Sequence, residues 1–140
     1  MELICDGIHI HPSIIRLTFA LHGKERVILI SDTLRAAGMP DGQYSLGGQE
    51  VIVRGNRATL ADAPDTLAGS ATNLMDCLRT AVSFDIPLAD AVRAATFNPA
   101  QALGLDHRFG TLDIGKDATM VLLNKDDLSI NTIIFHGEIV

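Results

Sequence analysis

The chain has 140 residues, one ordinary domain's worth, with 47% apolar but only 4% aromatic side chains and a formal net charge of −6. An acidic chain of pI near 5.1 with no basic patch excludes a nucleic-acid backbone as partner, while a small anionic metabolite remains open. No run of ~18 apolar residues and no signal-like leader is visible, so a soluble, cytoplasmic protein with no membrane partner is expected. Cys5 and Cys77 are too few for a disulfide framework or a zinc site and read as reduced core thiols.

Met1 to Cys5 is a short apolar run, read as a buried strand, that leads into Asp6-Gly7-Ile8-His9-Ile10-His11. On that strand His9 and His11 would share one face, a spacing also used by metal sites but weak without further ligands. Pro12 and Ser13 open a helix whose apolar face holds Ile14, Ile15, Leu17 and Leu21, closed by His22-Gly23. Val27-Ile28-Leu29-Ile30 has no polar interruption and reads as a strand buried on both faces. It stops at Ser31-Asp32. A carboxylate at the carboxyl end of a parallel strand either joins an active site or caps a turn.

Gly42 to Leu60 alternates and turns at Gly47-Gly48 and Gly55-Asn56, the signature of consecutive antiparallel hairpins. Asp62 to Ser70 reads as a polar loop. Ser70 or Thr72 is placed to cap a helix to about Phe84, with Leu74, Leu78, Ala81 and Val82 inward. Pro87 starts another helix to about Ala95, and Asn98-Pro99-Ala100 a shorter one ending at Gly104. Met120 to Leu123, Ile130 to Phe135 and Ile139-Val140 then read as antiparallel strands.

Taken in order, Asp6-Gly7-Ile8-His9, Ser31-Asp32, Ala37-Gly38-Met39-Pro40-Asp41-Gly42, Leu46-Gly47-Gly48-Gln49, Thr66-Leu67-Ala68-Gly69-Ser70, Asn98-Pro99-Ala100, Ala102-Leu103-Gly104-Leu105 and Gly115-Lys116-Asp117-Ala118 carry a resemblance. The chain resembles the C-terminal part of the N-acetylglucosamine-6-phosphate deacetylase family of amidohydrolases. That resemblance implies an α/β fold, the last two strands and helices of a (β/α)8 TIM barrel plus strands of a small β-sandwich. Residues 1–104 would be the partial barrel, with a hairpin insertion at about 42–60, and 105–140 the sandwich strands. A whole barrel takes ~250 residues, so an N-terminal barrel portion is expected as a missing partner.

The resemblance also implies the chemistry. A divalent metal, zinc or similar, activates water against the acetamide of N-acetylglucosamine 6-phosphate, and the family's metal ligands, a glutamate and two histidines, have no counterpart here. Asp32 matches the aspartate that takes the water's proton and returns it to the leaving nitrogen. His9 matches a substrate-binding histidine within the segment Asp6, Gly7, Ile8, His9. Leu67, Ala68 and Gly69 match a loop that contacts the sugar phosphate. The isolated chain is expected to be inactive and to form a homo-oligomer. Two other readings stay open: a non-catalytic assembly or sugar-phosphate-binding module, and a deacetylase of a related amino-sugar phosphate such as the galactosamine isomer.

Overall fold

The computed structural model describes residues 1–140 and places them around two separate cores. Strand β1 (Glu2–Ile4), helix α1 (Pro12–His22) and strand β2 (Ile28–Ile30) form a parallel β-α-β unit, with Leu3 opposite Leu29 and Ile4 opposite Ile30. The expected burial on both faces is met on one only: Val27 and Leu29 are sealed from solvent, with Leu3 and Cys5 beside them, while Ile28 and Ile30 are half-buried because the sheet has just two strands. Helix α1 adds Ile15. Helices α2 (Leu74–Ser83) and α3 (Leu88–Ala95) close this first core with Cys77, Leu78, Ala81, Ala91 and Ala94.

The second core lies under a four-stranded antiparallel meander: β3 (Gly42–Leu46), β4 (Gln49–Arg54), β5 (Arg57–Leu60) and β6 (Leu67–Ser70). Period-two alternation puts Val51 and Val53 on one face with Ala58 of the neighbouring strand, over Ala36. The turns are made where the glycines stand: Gly47 and Gly48 both take positive φ, which a two-residue hairpin turn demands.

Helix α4 (Phe97–Ala102) is tied back to the start of β2. The buried Asn98 amide donates to the carbonyls of Lys24, at 2.6 Å, and Val27, at 2.7 Å. The tail forms a three-stranded antiparallel sheet, β7 (Met120–Leu123), β8 (Ile130–Phe135) and β9 (Glu138–Ile139). Arg79 on α2 holds it by two bonds to the Leu128 carbonyl.

Several expectations need correction. Leu67-Ala68-Gly69-Ser70 is a strand rather than part of a polar loop, because β5 has a free edge that this segment pairs through a bulge between Arg57 and Thr59. Helix α2 is capped by Asn73, whose Oδ1 accepts from Asp76 N; Ser70 and Thr72 are buried instead. Leu74 faces solvent, and Cys77 takes the inward place. Residues after Ile4 bend rather than extend, so His9 and His11 do not share a strand face. His11 caps α1, its Nδ1 meeting Ser13 Oγ at 2.7 Å and accepting from Ser13 N.

The architecture is α/β without a closed barrel. β1 and β2 pair only with each other, leaving both outer edges open. On α1, Ile14, Leu17 and Leu21 are exposed, a stripe at helical spacing with nothing on it. The terminal sheet likewise exposes Val121, Leu122, Ile133, Phe135 and Ile139.

Removing the Asn98 amide leaves two inward carbonyls without donors. Asn98→Ala should lower stability by about 1–3 kcal/mol, the usual cost of stranding buried polar groups. The urea midpoint reads it, and an unchanged midpoint would show that the latch contributes nothing.

Candidate active site

Parallel register sends the carboxyl ends of β1 and β2 out on the same side, and the candidate residues follow those ends. After β2, Asp32 turns with φ +50°, a left-handed conformation that costs a non-glycine residue free energy. Its side chain is exposed. The hydrogen bond at this corner runs to the Asp32 backbone carbonyl, donated by Ser70 N at 3.2 Å, while Leu34 N donates to Ser70 O at 2.8 Å. Thr33 and Ser70 thus form an isolated parallel bridge that pins the end of β6 against the end of β2.

That bridge brings Gly69, at the end of the Leu67–Ser70 strand, beside Asp32, while Leu67 pairs with Thr59 farther along. Gly69 has φ +109°, and a Cβ built on it would lie 2.8 Å from Leu34 Cδ2 and 3.7 Å from the Asp32 carbonyl oxygen. The Leu34 methyl can shift aside, so it is the positive φ that calls for glycine here. A ladder of hydroxyls backs the junction: Thr33 Oγ1 donates to Thr72 O at 2.5 Å, and Ser70 Oγ and Thr72 Oγ1 share a proton at 2.7 Å. Sequence reasoning missed this role because a buried hydroxyl and a helix cap look alike in one dimension.

After β1, Asp6 has no side-chain exposure. Its Oδ1 accepts from Ile8 N at 2.9 Å and His9 N at 3.0 Å, and its Oδ2 meets His9 Nδ1 at 2.7 Å. Burial pushes this carboxyl up, but the bonds from the His9 and Ile8 amides and the His9 ring outweigh it. The net result lies below the usual carboxylate value of 3.8. Gly7 makes the turn with φ +78°, lying against Thr80 and Phe84. Ile8 is half-buried, and His9 keeps 19% of its side-chain exposure.

The thiols are ruled out as nucleophiles. Burial, then the neighbouring Cys77 and Asp6, push the Cys5 thiol up to about 12, and burial also raises Cys77. The donor set for a metal is missing as well: nowhere do three His, Cys, Asp or Glu side chains converge. His9 and His11 each spend Nδ1 on a local partner. The two hollows that stand out on the surface lie on the antiparallel sheet, one lined by Gly48, Gln49, Glu50, Ala61 and Asp62, the other by Ile52, Arg54, Arg57, Thr59 and Pro64.

Asp32 and the Asp6–His9 loop thus follow the carboxyl ends of two paired parallel strands, with Gly69 held against the Asp32 carbonyl, an arrangement of α/β type. The sequence profile of the amidohydrolase family matches residues 3–140, and the chain belongs to that family, which is generally metal-dependent. It is 41% identical over 133 residues to an N-acetylglucosamine-6-phosphate deacetylase of Bacillus subtilis, covering 94% of this chain and 33% of that protein. It is 38% identical to a putative N-acetylgalactosamine-6-phosphate deacetylase of Escherichia coli K12, covering 99% of this chain and 81% of that one. A solved N-acetyl-D-glucosamine-6-phosphate deacetylase of Mycobacterium smegmatis, an aspartate-to-alanine variant in complex with N-acetyl-D-glucosamine-6-phosphate, superposes with a TM-score of 0.90 at 38% identity. That superposition covers 99% of this chain and 36% of the solved one. The chain thus spans about a third of the length of most of these relatives. No helix is long and apolar enough to cross a membrane.

Two outcomes follow from this geometry. Gly69→Ala should cost about 1–3 kcal/mol, the strain of a non-glycine residue at such a φ together with the push on Leu34, read as a lower thermal midpoint; a neutral result would show that the close approach relaxes freely. The low-lying Asp6 carboxyl means the unfolded chain binds the proton first as pH falls. Its stabilisation is therefore present above about pH 3.8 and is lost as pH drops through the folded-state value. Acid unfolding of Asp6→Asn, followed by circular dichroism, should be flatter than wild type in that window; parallel curves would contradict it.

Proposed function

We propose that this chain is the C-terminal portion of an N-acetylglucosamine-6-phosphate deacetylase, contributing the last two strands of a (β/α)8 barrel and, over 105–140, strands of a small β-sandwich. The observation that carries the reading is Asp32, an exposed carboxylate on the end of β2, held beside the Gly69 strand. The likeness to a solved deacetylase with its sugar phosphate bound supports it.

In this reading Asp32 is the proton carrier. As water adds to the acetamide carbonyl, Asp32 takes its proton. It then delivers that proton to the sugar nitrogen as the C–N bond breaks, so free amine and acetate separate. His9 and the backbone of Gly7 and Ile8 approach the sugar phosphate from β1, and Leu67, Ala68 and Gly69 from β6. Holding a metal falls to residues outside these 140, because the donors present do not fit one. The open edges of β1 and β2 and the bare stripe of α1 are the surfaces the rest of the enzyme would cover; without it, copies of the chain cover them for one another.

A second reading, N-acetylgalactosamine 6-phosphate as substrate, is favoured by the 38% identity to the E. coli relative named for that sugar, of which this chain covers 81%.

Acetate release tests both. The chain alone, with zinc, cobalt or manganese, should release none from either sugar phosphate. Adding the N-terminal barrel portion of a relative as a separate polypeptide should restore release, and the preferred epimer names the substrate. In that assembly Asp32→Asn should lose about 10² to 10⁴-fold in rate. Activity of the chain alone, or near-normal turnover of the variant, would defeat the assignment.

A further inference from the structure

Asp6 lies in a segment expected to bind substrate, yet its carboxylate has nothing left to offer one. Both oxygens are consumed inside its own loop, and the side chain is sealed from solvent. From that arrangement we infer that Asp6 is a positioning residue, which holds a ring proton of His9 on Nδ1 and turns the Nε2 edge outward. An ionised carboxylate can only accept hydrogen bonds, so the proton between Oδ2 and Nδ1 must belong to the ring. The Asp6 carboxyl is held in that ionised form by the two backbone amides and the ring itself. With Nδ1 turned onto a buried atom, the remaining ring exposure belongs to the opposite edge, where Nε2 sits.

The consequence is chemical selectivity. In its neutral form the ring then presents the Nε2 lone pair outward, where a hydroxyl or the acetamide N–H of an amino-sugar substrate can donate to it. This deepens the deacetylase reading and, for the substrate partner alone, rests on it. The tautomer stands on the geometry of one loop.

The decisive variant is Asp6→Asn. Its side-chain oxygen keeps the two backbone bonds, while its amide N–H₂ would donate to Nδ1 and drive the ring proton to Nε2. Nitrogen-15 NMR of the histidine rings in this chain, above the range in which imidazole titrates, distinguishes the two. Wild type should show His9 protonated at Nδ1, and Asp6→Asn protonated at Nε2. A wild-type ring protonated at Nε2 overturns the proposal, and this holds even if the variant fails to fold; a folded variant with an unshifted ring overturns it too. In an assembled, active deacetylase, Asp6→Asn should raise KM about tenfold or more and change kcat far less, since Asp32 keeps the proton work. A fall in kcat at unchanged KM would refute the binding role while leaving the tautomer result to be judged by the spectrum. Absence of any deacetylase activity in wild type would defeat the proposed function and not the tautomer.

Discussion

The bridge between Thr33 and Ser70 is the constraint on which the rest depends. The two cores share no large apolar interface: one is built from β1, β2 and three helices, the other from the meander. What joins them at the site is backbone pairing and a short ladder of hydroxyls through Thr33, Thr72 and Ser70. Those bonds are directional, so they fix where β6 stops against β2 in a way that apolar contact would not. The left-handed turn at Asp32 and the glycine at position 69 both follow from forcing two chain segments to meet there.

Much of this was legible in one dimension. The run Val27 to Ile30 had no polar break, Pro12 marked a helix start, and paired turn residues at Gly47-Gly48 and Gly55-Asn56 announced hairpins. The strand Leu67 to Ser70 was not legible, because its four residues have little preference for extended structure and are recruited by the free edge of β5. Asp6 was legible as part of a site segment but not as a buried brace, since its partners are backbone amides that carry no sequence signal. His11 illustrates the reverse: its spacing from His9 suggested shared chemistry, and the chain bends between them and spends His11 on a helix end. The gathering of Asp32, His9 and Gly69 at one end follows from parallel register and the bridge together, two facts of tertiary structure.

The exposed surface describes a molecule whose apolar chemistry is unfinished. A stripe on α1 and much of the terminal sheet are apolar without being covered, while the interior between them is well sealed. Charge cannot compensate, because the ion pairs sit elsewhere, between partly exposed partners such as Arg108 and Asp117 or Arg79 and Asp76, where solvent screens them. The amidohydrolase relatives are mostly about three times longer than this chain.

Asn98 carries a consequence for the order of events in synthesis. Its two bonds reach back 71 and 74 residues, to the segment that leads into β2. A ribosome adding about 5–20 residues per second takes roughly 4–14 s to travel from Val27 to Asn98. Throughout that interval the β-α-β unit exists without its latch, and the Lys24 and Val27 carbonyls have only water as donor. The nascent chain therefore passes through a period when its most apolar strand is held by β1 alone.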